Sequence, residues 1–391
     1  MPEEPHILLP EPGALRWSEA PHWRAGAGVN RVTTVSLCAA GLVGMAGVVL
    51  FGWYAIRVLA ISVAVALLIE SLFHTLSQRS RRWSEGQALL IGLLTACTLP
   101  ATAPWTQVAT ASGVAVLIGL ILPGGVGNYL WHPVALGRVT VLLLFGQPNT
   151  ETDWRVLAPT RLLTGDLGLA RALPPLTTWS DAPLPSGIEA WQVVPAIDTL
   201  TASVPMVHGA SPARALAEQI AGALPPFSDT LTGSAGGAIG EACVLAVILA
   251  GLLLGWQGLL RGRMILAATL AAVGLAAVLP VYFYQEGAGL SACWLPIRLI
   301  DDGLPVGLAW VAYQMTAGGL PLVLLVLAAD PTSSPLTTRG QILFGILIAA
   351  CAMLLRALTG IPCSAYWALL IANTAVPLIN RMTRRRVFGT T

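Results

Sequence analysis

Residues 236–256 read Gly236-Gly237-Ala238-Ile239-Gly240-Glu241-Ala242-Cys243-Val244-Leu245-Ala246-Val247-Ile248-Leu249-Ala250-Gly251-Leu252-Leu253-Leu254-Gly255-Trp256. One carboxylate stands near the start, and residues 242–256 carry no charge at all. A helix of about 20 apolar residues crosses a hydrocarbon core roughly 30 Å thick, so this stretch has the length of a membrane span with an acid at one end. Similar stretches occupy 33–52, 54–76, 87–103, 106–122 and 132–146 before it, and 264–283, 305–328, 340–358 and 364–380 after it. None shows the strict alternation of an outer-membrane barrel strand. The expected fold is an all-α integral membrane protein of about ten transmembrane helices, with a tight turn at Trp53 to Arg57 joining the first two.

Composition agrees. The chain has 391 residues, 55% of them hydrophobic, a mean hydropathy of +0.74 and only 10% charged residues. A soluble domain carries about a quarter charged residues, so a soluble protein is excluded. The net charge of +2 identifies no partner, and every basic residue is Arg. The six cysteines are scattered without a Cys-x-x-Cys pair and read as small buried apolar residues rather than metal ligands. The first 31 residues hold Glu3, Glu4, Glu11 and several prolines without an apolar core, which is not a signal-peptide pattern.

Arginine sets the orientation. Arg79, Arg81 and Arg82 follow the second stretch, Arg261 and Arg263 the sixth, and Arg381, Arg384, Arg385 and Arg386 the tenth. Placing all three groups in the cytoplasm requires both termini inside and ten crossings of the inner membrane. The chain then divides into a cytoplasmic segment 1–32, a five-helix half 33–146, an ordered extracytoplasmic loop domain 147–235, a second five-helix half 236–380 and a basic cytoplasmic tail 381–391. Five spans per half is an odd number, so the halves enter the membrane in opposite senses, as inverted repeats do. Pro100 and Pro104 after the third stretch are echoed by Pro331 and Pro335 after the eighth. Proline cannot continue a helix, so the backbone there needs other partners.

Within 147–235 stands Ile197-Asp198-Thr199-Leu200-Thr201-Ala202-Ser203-Val204-Pro205-Met206. It resembles the flavin-attachment motif of the RnfD/NqrB family, the membrane subunits of ion-translocating, flavin-dependent electron-transfer complexes. In that family Asp is followed by Ser-Gly-Ala-Thr, and the Thr carries FMN through a phosphoester. Asp198 and Thr201 fall in place and Ser203 stands before the acceptor, but the acceptor position is Val204, which has no oxygen to esterify. Other stretches extend the resemblance over most of the chain from about residue 86. They are Gly124-Gly125-Val126-Gly127 with His132-Pro133 (His where Asn is usual) and Gly137-Arg138; Gly237-Ala238-Ile239-Gly240-Glu241; Ala329-Asp330-Pro331 through Gly340; and Asn373 with Pro377, where Asn380 replaces a common Asp.

The resemblance implies a membrane subunit that couples electron flow to Na⁺ or H⁺ movement beside other membrane and extracytoplasmic redox subunits. It implies a flavin region of Asp198, Thr201, Ser203, Gly237, Gly240, Glu241 and Asp330. Covalent FMN is expected to be absent, which leaves a non-covalent flavin, FMN or riboflavin, as the cofactor to consider. Two other functions stay open: a cofactor-free scaffold or ion path within a redox assembly, and a channel or transporter without redox chemistry.

Several polar residues stand out in the apolar stretches. Glu241 reads either as a functional intramembrane carboxylate or as a cap on a helix N-terminus. Glu70 and His74 share a helical face and form a relay or simply reach water near a span end. Arg138, well inside a span, is expected to pair with a carboxylate or carbonyls. Asp330 is expected to cap a broken helix end, with ion or flavin contact as the alternative.

Overall fold

The computed structural model describes residues 28–77, 86–101, 103–145, 206–207, 231–233, 238–285, 289–294, 304–316, 319–359 and 363–383. The first half contains α1 (Val29–Phe51), α2 (Trp53–Ser77), α3 (Gln87–Cys97), α4 (Trp105–Val116, running on as a π-helix over Leu117–Ile121) and α5 (Pro133–Phe145). The second contains α6 (Val244–Trp256), α7 (Gly262–Val278), α8 (Leu304–Thr316), α9 (Leu320–Leu322, running on as a π-helix over Val323–Leu327), α10 (Thr338–Thr359) and α11 (Ser364–Met382). By length and composition α1, α2 and Thr338–Ala357 of α10 can each cross a membrane alone. Trp310–Thr316 and Leu320–Leu327 meet at 55° and make a fourth span if taken together.

Several of these helices turn a stripe of mostly small residues inward and large apolar residues outward, the pattern of spans that face lipid on one side and a neighbouring helix on the other. On α7 the inward stripe is Met264, Ala268, Ala272 and Ala276, while Leu266 and Leu270 point outward. That stripe packs on α10, which in turn packs on α11; in the first half α2 packs on α4 and α4 on α5. The halves meet where α1 lies against α6 and α5 against α11. Gly47 of α1 permits one such approach, since a Cβ there would stand 2.3 Å from Ile239.

Three expectations need correction. The first two helices are joined at Gly52 alone (φ 58°), and Trp53 to Arg57 is already helical, because glycine supplies the backbone angle at no steric cost. The sixth helix begins at Val244 rather than 236: the glycine-rich residues before it are weak helix formers and bond instead to the end of α3, Gly240 N–H to Cys97 C=O (2.7 Å) and Ile239 N–H to Leu99 C=O (3.0 Å). The fold is also not wholly helical. Pro280 ends α7, and the aromatic and β-branched run after it forms β2 (Val281–Gln285), paired antiparallel with β3 (Gly289–Cys293). β1 (Met206–Val207) joins β2 in parallel, Met206 opposite Tyr284. Most of the expected loop domain 147–235 lies outside the described residues.

Candidate functional site

The break between α8 and α9 organises the polar residues. Gly319 caps α9 with φ +71°, and a Cβ on it would meet Glu241 Oε1 at 2.5 Å and Tyr366 Oη at 2.8 Å. Glu241 therefore answers a helix N-terminus, though that of α9 rather than of its own α6. Tyr366, fully buried in the first turn of α11, donates its hydroxyl to the Glu241 carboxylate. Arg138 of α5 is 4% exposed; its Nη2 donates to Cys363 Sγ at 2.9 Å, and it lies within electrostatic range of Glu241 and Tyr366. Across the break, Arg356 of α10 is buried and donates to the Gln314 carbonyl (2.8 Å) and Oε1 (2.9 Å) in the last turn of α8. An acid thus faces a helix start and a base a helix end, the signs that the two peptide dipoles favour.

A second cluster lies beyond the other end of α9. Tyr129 donates to Asp330 Oδ2 at 2.6 Å, and Thr332 N–H to Asp330 Oδ1 at 3.3 Å. Arg261, just before α7, donates to the Pro335 carbonyl at 2.9 Å and to the Ser334 hydroxyl. Burial pulls its guanidinium down from the ordinary value, and the charge of Asp330 works against that. The Asn373 amide joins two loops: its nitrogen donates to the Ser333 carbonyl (3.0 Å) and its oxygen accepts from the His132 N–H (2.9 Å). Between α1, α3 and these loops is a cavity of about 480 Å³, with Gln87, Tyr129, His132, Arg261 and Asp330 among apolar lining residues such as Leu94. His132 is 5% exposed, and its Nδ1 has no hydrogen-bond partner among the described residues.

Of the flavin region expected from the sequence, Asp198, Thr201, Ser203 and Gly237, with the acceptor position Val204, lie outside the described residues. Gly240 packs on Cys97 at the end of α3, Glu241 sits at the start of α9 and Asp330 after its end, so the eight residues Leu320–Leu327 separate the two acids. At 1.5 Å rise per residue that is about 12 Å. Asp330 lies past the far end of α9 from the break and accepts from Tyr129 and Thr332 N–H, and the Arg138 guanidinium donates to the Cys363 thiol. Glu70 Oε1 and His74 Nε2 are 3.7 Å apart on α2, and neither lines the cavity. Sequence reading missed Tyr129, Tyr366 and Arg356. Only Arg356 left a signal there, as a second arginine inside an apolar stretch.

A span interrupted in mid-course, with a half-buried acid and a buried base at its broken ends and a carboxylate–phenol pair at each end of one half, points to a class: polytopic membrane proteins built to carry charge. The chain belongs to the NQR2, RnfD, RnfE family, whose sequence profile matches residues 16–389. It is 31% identical over 346 residues to the RnfD component of the ion-translocating oxidoreductase complex of Stutzerimonas stutzeri, covering 88% of this chain and 87% of that one. The corresponding component from Shigella dysenteriae serotype 1 (strain Sd197) is 28% identical over 347 residues (87% and 88%), and that from Aeromonas salmonicida (strain A449) 27% over 358 (87% and 88%).

Proposed function

We propose that this chain is the RnfD-like membrane subunit of a multi-subunit ion-translocating oxidoreductase, in which electron flow drives Na⁺ or H⁺ across the inner membrane. The observation that carries this reading is the α8–α9 break with its answering charges, in a chain of this family. Ten spans in two inverted halves, with both termini cytoplasmic, are the matching topology. A repeated arginine clasp supports it. Arg57, near the start of α2, donates to the carbonyls of Ala101 (3.5 Å) and Ala103 (3.2 Å) in the Pro100–Pro104 loop. Arg261, at the start of α7, holds Ser334 and Pro335 in the Pro331–Pro335 loop. The pairing of β1 with β2 also fits, because it requires Met206 and Tyr284 on one side of the membrane, as this topology does.

The cavity beside Asp330 fits a non-covalent flavin. Its volume of about 480 Å³ admits a fused-ring ligand, its walls are mostly apolar, and the unsatisfied His132 Nδ1 offers a polar contact. A bound flavin would supply the capacity to take up and pass on electrons. His132, Gln87 and the Tyr129–Asp330 pair would orient it, and α1 and α3 would limit the entry of water. Val204 cannot bear a phosphoester.

The test is spectroscopic. Purified protein should absorb as a flavoprotein, release its flavin into the supernatant on acid precipitation and leave no fluorescent band on a denaturing gel. A flavin that stays with the precipitate on a peptide containing Thr201 or Ser203 would overturn non-covalent binding. Protein without any flavin would favour the scaffold reading.

A further inference from the structure

The crossing of α10 and α11 leaves two arginines without an anion. The start of α10 lies on the end of α11: a Cβ on Gly340 would stand 3.1 Å from Ile379, the Thr337 and Thr383 hydroxyls are 2.5 Å apart, and Leu336 N–H donates to Asn380 Oδ1 at 3.3 Å. These contacts flank Arg339 and Arg381, both exposed. No carboxylate among the described residues pairs with either, because the acids there, Glu70, Glu241 and Asp330, are engaged elsewhere. Neighbouring helix axes lie about 8–10 Å apart, so two guanidinium groups at one crossing can reach a single phosphodiester and offer it paired donors. Asn380 brings an amide N–H2 that its bond through Oδ1 leaves free among the described residues, and it brings no negative charge.

What lies beneath each arginine fits the rest of a lipid. Leu343 and Ile346 follow Arg339 along α10, and Leu378 and Ile371 precede Arg381 along α11, at spacings that keep each set on one outward face; all four are exposed. Each guanidinium thus stands one turn above an apolar stripe, the order in which a phosphate and its acyl chains meet a helix. We propose that the α10–α11 crossing binds an anionic phospholipid, its phosphate held by Arg339, Arg381 and the Asn380 amide and its acyl chains laid along the two stripes. With both termini cytoplasmic the lipid belongs to the inner leaflet. The site does not depend on whether the chain binds flavin or moves an ion. An acidic soluble segment would match the arginines but not the apolar stripes beneath them.

The experiment is a thermal-unfolding series on the full-length protein in nonionic detergent, titrated with phosphatidylglycerol, phosphatidylcholine or glycerol phosphate. Phosphatidylglycerol should raise the wild-type midpoint saturably by about 2–4 °C, and the other two should not. Arg339→Gln/Arg381→Gln should lose the rise, and so should Asn380→Asp, which sets a carboxylate beside the arginines. Arg263→Gln should keep it, since that arginine is exposed at the start of α7, away from the crossing. An equal rise with phosphatidylcholine, a rise that survives the double substitution, or an equal loss in Arg263→Gln overturns the proposal. A rise with glycerol phosphate assigns the arginines to a free anion and overturns it too. If the double variant does not fold, Asn380→Asp decides, and a rise that survives there overturns the site. In native membranes a photo-cross-linking residue in place of Leu378 should yield a lipid adduct; capture of another polypeptide in its place overturns the lipid assignment.

Discussion

Tyr129 donates its phenolic hydrogen to Asp330 at 2.6 Å across 201 residues of sequence. The bond ties the loop that precedes α5 to the loop that follows α9. It therefore joins the two halves at the cavity, as the Tyr366–Glu241 bond joins α11 to the segment before α6 at the other end of α9. Both acids are held by phenols, which donate a hydrogen without adding a charge.

Replacing Tyr129 with Phe should leave an Asp330 oxygen short of a donor in a partly buried place. The expected loss is about 1–3 kcal/mol, read as a lower thermal midpoint in detergent. An unchanged midpoint would mean that the bond contributes nothing net.

Gly319→Ala should be more severe than an ordinary loop substitution. The new Cβ would meet Glu241 Oε1 at 2.5 Å, on a backbone with φ +71° that side chains rarely adopt. A loss of about 1–3 kcal/mol is expected, and Glu241→Gln should not relieve it, since the clash is steric. A wild-type midpoint for Gly319→Ala would refute the close packing described for this break.

The arginine clasps should act locally. Arg261→Met should speed hydrogen exchange in residues 331–336 and leave residues 100–104 unchanged, whereas Arg57→Met should do the reverse. The two changes should add in stability, since the loops share no partner. Acceleration of both loops by either substitution would contradict independent clasps.

A protease site inserted between Gln285 and Gly289 should be cleaved in membrane vesicles from the same side as one inserted within 147–205. Cleavage from opposite sides is incompatible with the parallel β1–β2 pair.

Much of the helical layout was legible because apolar runs of membrane length leave few alternatives. The prolines marked both loops that the clasps hold. What sequence could not give were the places where backbone is used for tertiary bonding. The residues before Val244 look like the start of a span by composition, yet Gly240 and Ile239 use their N–H groups on the end of α3. Past Pro280, strand-forming residues took over a stretch whose hydropathy matched a helix. Site residues were legible where a charge sat in an apolar run, as with Glu241 and Arg138. They were not where the partner was an aromatic ring: nothing local distinguishes Tyr129 or Tyr366 from the interfacial tyrosines that membrane proteins commonly carry. The attachment motif could be judged chemically, because valine has no hydroxyl, but not spatially.

The two proline loops are held alike, one by Arg57 and the other by Arg261, yet they are not equivalent. The residue before the first proline is Asp330 in one loop and Leu99 in the other. Asp330 lines the cavity, and Leu99 is fully buried among apolar neighbours. A ligand in the cavity therefore meets a carboxylate at one proline loop, whereas the other loop offers only a buried aliphatic side chain.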